Sequence, residues 1–457
     1  MDYIIPKRFA HFIAETTYEK LPQDVIQIAK ERIMDTLGAA LAGASHWEYK
    51  ENFLQACRKF GKGDTAVITG GAKEFPLARA AMINATFAHG IELDDGHKNA
   101  GVHCGAAIIP TALTLGSALG CSGKEILTAI VIGYDIVYRL ASNMAPYQIK
   151  KGFHPSGNDD TIGSMAVAGK LLNLTENQLE QGLGLSALYA SGLMEATVTG
   201  QASKCIQVGN AVYNGIAAAY YAQENMEGSL SAFEGKSGFF KAKSENVDPE
   251  KVCEGLGEKF LIGDTYSKMY PTARHSQPAI EAVLDLVAEH GFSWEAVEKV
   301  WVGTHQVAYD MTGIIKAPKD AGEAKFSLAY GVALALHEHC FGIAHLDERY
   351  TQDPINIKLG NLVTVAVDPD VQKLYPKRRG AKVKVYLKDG TVYEKELYDL
   401  KGSPGNPIGW KELEQKFRIN TESVLPKKEA DTLLALIQSM DEASQINPLM
   451  DILNTAR

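Results

Sequence analysis

Helical periodicity governs the first half of this chain, and it narrows the possible folds more than any other feature. Leu21, Val25, Ile28, Ala29, Ile33 and Leu37 recur three or four positions apart, so they share one helix face. Pro22 stands where that run begins, a position at which its missing N–H costs nothing. The stretches AAIIPTALTLGSALG (106–120) and ILTAIVIGYDIVYRLA (126–141) carry the pattern on. Their many glycines and alanines let helices approach closely, which suits a tightly packed helical core. Residues 160–225 read as three more helices, with breaks near Asn173 and Gly200.

The period shortens after about residue 265. KVWVGTH (299–305) alternates like a strand. AKVKVYLKDGTVYEKELYDL (381–400) reads as a hairpin turning at Asp389-Gly390. Helical stretches lie between them at 276–290 and 322–340, and the tail is helical again from Lys411. A chain of 457 residues is too long for one ordinary core. The pattern predicts a mainly α protein, with a large all-helical domain over 1–265 and 401–457. A smaller α+β domain is inserted at 266–400.

Composition excludes several classes. The formal net charge of −9 argues against a nucleic-acid partner. It leaves an anionic small substrate open, because one local cluster of cations can outweigh the global sign. None of the six cysteines forms a CxxC pair, so neither a zinc site nor a redox dithiol is signalled. Reduced thiols fit a cytosolic compartment. The first residues are amphipathic, without a continuous apolar signal region. No apolar run reaches the roughly 18 residues of a membrane span. A cytoplasmic protein with no metal and no membrane partner is expected.

Four polar patches interrupt the apolar sequence. The densest, HGIELDDGHKNAGVHCG (89–105), holds Glu92, Asp94, Asp95, His89, His97 and His103. Such a mixture can supply acids, bases or metal ligands, though its spacing matches neither HExxH nor an EF-hand. It reads equally as a capped loop between helices. In KKGFHPSGNDDTIGSM (150–165), His154 precedes a helix, and Asp159, Asp160 or Thr161 would cap it. Lys204 lies in the otherwise uncharged stretch GQASKCIQVGNAVYNGIAAAY (200–220). It either snorkels to the surface or is held inside against an anion. In KMYPTARHSQPAIEA (268–282), Arg274 and His275 stand just before a helix. A carboxylate could meet side-chain cations and helix N–H groups together there. GxGxxG, P-loop and GxSxG patterns are absent, so a nucleotide cofactor or a serine hydrolase has no motif behind it.

Taken in order, these patches resemble the MmgE/PrpD family. The likeness runs from ERIMDTLGAALAG (31–43) through ELDDGH and its following His (92–103), FHPSG (153–157), SKCIQVGNA (203–211) and YPTARHSQPA (270–279) to GSPGNPI (402–408). The family includes 2-methylcitrate dehydratase, cis-aconitate decarboxylase and iminodisuccinate epimerase. The resemblance implies a helical domain with an α+β lid, a homodimer, an active site between the domains and no metal or organic cofactor. It carries catalytic positions onto His103, His154, Lys204 and Tyr309, and an acidic position onto Glu92, where the decarboxylase branch has Asp. A threonine position falls on Gly96. Asp95, His97, Arg274 and His275 are the expected substrate-binding residues.

The expected chemistry is proton abstraction next to a carboxylate of a small polycarboxylate, with dehydration as in 2-methylcitrate dehydratase the first reading. Decarboxylation and epimerisation of an aminated dicarboxylate are the alternatives. Asp159 and Asp160 beside an anion site would favour a substrate bearing an amine or imine. His154 and Tyr309 are the expected acid–base pair, within a field from Lys204, His103 and Arg274. Replacing Lys204 with Met is expected to hold or raise stability while removing activity.

Overall fold

The computed structural model describes residues 3–68, 73–97 and 99–456. Helices dominate it, as the sequence predicts. The first part holds α1 (Ile4–Glu15), α2 (Gln23–His46), α3 (Leu77–His89), α4 (Gly105–Leu119), α5 (Gly123–Met144), α6 (Pro155–Leu171), α7 (Glu176–Tyr189) and α8 (Lys204–Gln223). Ser122 and Thr175 start α5 and α7 with capping boxes, each side chain accepting from the backbone three residues on. α4 and much of α5 are buried around their whole circumference, which marks them as the centre of the bundle. Small residues permit this density. A Cβ at Gly215 of α8 would lie 2.6 Å from the Thr161 carbonyl oxygen of α6, so the two backbones touch there.

The later part contributes α9 (Gln277–His290), β1 (Val297–Thr304), α10 (Gln306–Thr312), α11 (Leu328–His337), β2 (Val363–Val367), β3 (Ala381–Leu387) and β4 (Val392–Leu397). The strands form one sheet in the order β2-β1-β3-β4. β1 pairs parallel with β2 and antiparallel with β3. β3 and β4 are the hairpin read from the sequence, and its turn glycine, Gly390, has φ 90°. Ala381, Val383, Val385 and Leu387 alternate inward along β3 and meet Ile280 and Val283 of α9 and Leu334 of α11 in one apolar cluster. Ala39, Ala42, Ile91 and Leu93 belong to that cluster too, so it presses directly on the helical part.

The tail returns to the helices. Phe417 of α12 (Trp410–Thr421) and Leu433 of α13 (Lys427–Gln438) join the main helical core beside Leu37 and Leu41. Lys416 anchors the return by donating to Asp35 Oδ1 at 2.5 Å and to the Leu93 carbonyl at 3.1 Å. One expectation fails here. α6 begins at Pro155 with His154 in the capping position, so Asp159, Asp160 and Thr161 lie inside the helix and do not cap it. The proline at the first helical position sets the start, because its fixed φ suits a first turn. Among the described residues, no helix is long and apolar enough to cross a membrane.

Candidate active site

The 89–105 segment leaves α3 at His89 and enters α4 at Gly105, and its turn is made at an unusual place. Glu92 has φ 56°, a left-handed conformation that non-glycine residues rarely adopt. Its side chain is buried between two ammonium groups: Lys204 donates to Oε1, and Lys268 donates to Oε2 at 3.0 Å. Burial alone would push this carboxyl up, but Lys204 and Lys268 outweigh it and hold it well below the usual range. Lys268 is fully buried and also lies 3.6 Å from Asp94 Oδ1. Lys204 therefore does not snorkel. It is 6% exposed, and the anion that holds it inside is Glu92.

Three histidines gather beside this triad. His89 Nδ1 lies 2.7 Å from Asp94 Oδ2, and the His89 ring centre is 5.0 Å from that of His103 and 6.1 Å from that of His154. His103 Nδ1 is 2.8 Å from the Asp95 carbonyl oxygen. A carbonyl only accepts, so His103 carries its proton on Nδ1 and leaves a lone pair on Nε2. Burial, then Lys268, lower the His103 pKa well below the ordinary value, and burial, then Lys204, do the same to His154. Both rings are neutral at pH 7, as a general base must be.

A cleft of about 410 Å³ opens onto these groups. Glu92, His103, His154 and Lys204 line it from the earlier part of the chain, and Arg274, His275, Tyr375 and Arg379 line it from the later part. Ile149, Met194, Val307, Met311 and Phe326 add apolar surface. Lys150, Lys204, Arg274 and Arg379 face it as cations, whereas Glu92 is the only carboxylate among its described lining residues. A chain of net charge −9 thus presents a cationic cleft, which suits an anionic substrate. Arg274 is buried, and among the described residues its hydrogen-bond partners are neutral: Gln277 Oε1 at 2.7 Å, the Ser267 carbonyl at 3.2 Å and Ser403 Oγ at 2.6 Å. Its guanidinium has five N–H donors, so two remain for a ligand. Burial lowers its pKa to about 10, and it stays charged.

Other expected residues stand elsewhere. Asp95 is sealed behind the cleft, accepting from Tyr134 Oη at 2.5 Å and from the Gly105 backbone at 2.9 Å. Each carboxylate oxygen holds one of these bonds, so its side chain supports the loop, and it is not among the cleft's lining residues. His97 packs on Tyr138, ring centres 4.4 Å apart, and lines a neighbouring cavity of about 290 Å³ on the far side of Tyr266 and Arg274. Tyr309 is half-buried on α10, whose cleft-facing residues are Val307 and Met311. Those two are four apart on one helix face, which turns the intervening Tyr309 away. At Gly96, a Cβ would lie 2.5 Å from Tyr266 Oη, so the Tyr266 phenol occupies the space a side chain would need.

Asp159 and Asp160 are buried within α6 and do not line the cleft. Burial pushes Asp159 up to about 7, and burial together with Asp159 pushes Asp160 well above the carboxylate range. Neither places a negative charge on the substrate, which removes the ground for expecting an amine there. Sequence reasoning named His89 in the polar patch without giving it a role, and it missed Lys268, Tyr375 and Arg379. Lys268 sits six residues before Arg274 in the same patch, and a lysine in a polar run carries no sign of complete burial.

His89, Asp94 and His103 bring one ligand atom each within 4.8 Å of one another, the spacing a metal site would need. One nitrogen of each histidine and one oxygen of Asp94 are engaged in the His89–Asp94 and His103–Asp95 contacts, and the Lys268 ammonium stands 3.6 Å from the other Asp94 oxygen. A cation placed there would meet a cation.

Residues 7–251 match the MmgE/PrpD N-terminal domain and residues 270–442 match its C-terminal domain. A cis-aconitate decarboxylase of Aspergillus terreus (strain NIH 2624 / FGSC A1156) is 25% identical, over 98% of this chain and 96% of the relative. The human cis-aconitate decarboxylase is 24% identical over 98% of this chain and 94% of its own length. An alkylcitrate dehydratase of a fungal species (strain ATCC 74256) is 24% identical over 65% of this chain and 60% of the relative. Both domain matches contribute residues to the cleft, and the chain belongs to the MmgE/PrpD family.

Proposed function

We propose that this chain is a lyase that removes a proton next to a carboxylate of a small polycarboxylate and expels water from the neighbouring carbon. The observation that carries the reading is His103. Its Nδ1 is committed to the Asp95 carbonyl, so its neutral Nε2 is a base on the wall of a cationic cleft. Such a proton is weakly acidic, and its removal adds charge to an anion. Preorganised cations are therefore needed where the enediolate forms. Lys204 and Arg274, both in the cleft lining, supply that field. Neither the acid nor the base needs a metal or an organic cofactor.

The substrate we favour is a hydroxylated tricarboxylate with an alkyl branch, as in 2-methylcitrate. The carboxylates answer the four cations, and the branch answers Ile149, Met194, Val307, Met311 and Phe326. Residues 266–400 act as the lid in this reading, since Arg274, His275 and Arg379 come from them. The proton that His103 takes from carbon is passed to the leaving hydroxyl, so that water departs and His103 returns to its neutral form, while neutral His154 hydrogen-bonds that hydroxyl. Decarboxylation is the second reading, because the relatives that match over 98% of this chain are cis-aconitate decarboxylases.

Purified protein should be incubated in parallel with 2-methylcitrate and cis-aconitate, and the products followed by proton NMR. Replacement of the methyl doublet of methylcitrate by an allylic methyl signal, or a vinylic signal if water is lost toward the unbranched arm, without loss of CO₂, supports the dehydratase. Release of CO₂ from cis-aconitate supports the second reading. No turnover of either acid refutes both assignments.

A further inference from the structure

His305 does not reach the cleft, yet it determines what His275 offers there. It is buried and caps α10: its Nδ1 accepts from the Ala308 backbone N–H at 3.3 Å. A backbone N–H can only donate, so this nitrogen carries no proton and the neutral ring carries it on Nε2. That Nε2 lies 3.4 Å from His275 Nδ1, with the two rings inclined at 69°. His305 therefore donates and His275 Nδ1 accepts, which leaves the His275 proton on Nε2. Tyr375 stacks on the His305 ring at 4.1 Å and 19°, fixing its plane. Burial and Arg379 keep both imidazoles neutral at pH 7.

We infer that His305 is a positioning residue that locks His275 in the Nε2–H tautomer, so that His275 presents a neutral hydrogen-bond donor to a substrate carboxylate. His103 and His275 then hold opposite tautomers across the cleft lining. His103 exposes a lone pair, and His275 exposes a proton. The donor stabilises charge that builds on the carboxylate during proton removal and cannot compete as a base. The role of the donor rests on the function proposed above, but the tautomer does not.

The test uses the full chain labelled with ¹³C and ¹⁵N at histidine, with the His275 signals assigned by their loss in His275→Gln. Solid-state NMR then reads which ring nitrogen is protonated. In the unmodified protein His275 should be protonated at Nε2 only; a proton at Nδ1 overturns the inference. His305→Gln and His305→Glu are nearly the same shape, but only Gln can donate. Gln should keep the tautomer. Glu should move the His275 proton to Nδ1 and lower kcat by roughly a hundredfold, the scale of losing one donor to a developing anion, with a smaller change in KM. If the two variants leave the same tautomer, His305 is only a helix cap and the inference fails. Because the NMR result needs no substrate, a failure of the proposed reaction is distinguishable from a failure of the lock.

Discussion

Replacing Lys204 with Met removes one ammonium from a buried carboxylate and keeps much of the stem's volume. On the sequence alone this change is expected to hold or raise stability, since a desolvated cation gives way to an apolar group. The structure reverses that expectation. Glu92 is 4% exposed, and it would lose one of its two ammonium partners. Breaking a buried ion pair costs roughly 3–5 kcal/mol when the survivor has no other partner. Lys268 still donates to Glu92 at 3.0 Å, so the cost falls to about 2 kcal/mol. For a chain of 457 residues unfolding as one unit, that is a Tm decrease of about 2 °C. Activity should fall roughly a hundredfold, because the ammonium also belongs to the field that stabilises the enediolate. Scanning calorimetry and kcat/KM on the same preparation read both quantities. Glu92→Gln in the Lys204→Met background should recover part of the lost stability but none of the activity. A single variant with unchanged Tm and full activity would refute the paired, catalytic lysine.

Three further outcomes follow from the same geometry. His103 and His154 have pKa values well below the imidazole range, so kcat/KM should stay level down to about pH 6.5 and decline only below it; a decline centred at or above pH 7 would contradict the neutral base. Asp159 is raised to about 7, so above that pH the folded chain holds a buried carboxylate that costs stability, and below about pH 4 the cost is absent. The Tm gain of Asp159→Asn should therefore be larger at pH 8.5 than at pH 5.5, and a gain independent of pH would show that burial does not raise this group. Dialysis against EDTA should leave turnover intact, and a loss restored by Zn²⁺, Mg²⁺ or Fe²⁺ would contradict the metal-independent chemistry.

The helices and the hairpin were legible because each carries a local period. Leu21 to Leu37 repeats with the helical turn, and Ala381 to Leu387 alternates with the pleat, so each pattern reports its own backbone. The site was legible as patches and not as an assembly. Glu92, His103, His154, Lys204, Arg274 and His275 all line one cleft, but nothing in the spacing says that Lys204 faces Glu92 across 112 residues. Lys268 escaped because its burial depends on two carboxylates 176 and 174 positions away. Asp95 and His97 share a polar patch with Glu92, yet neither lines the cleft. The left-handed turn at Glu92 sends neighbouring side chains to different places, and such a turn cannot be read from a non-glycine residue. Tyr309 came from the family resemblance alone, and the register of α10 turns it from the cleft.

Solvent-deuterium exchange tests the central claim most directly, because it follows the abstracted proton itself. The protein is incubated in D₂O with the polycarboxylate it turns over, and deuterium next to the carboxylate is measured in the recovered acid and in the product of the reverse reaction. The account predicts incorporation at that one carbon by the unmodified chain and none by His103→Gln, which keeps a side-chain amide but has no imidazole base. Incorporation by His103→Gln at the unmodified rate, or turnover that leaves every carbon-bound proton in place, would contradict it.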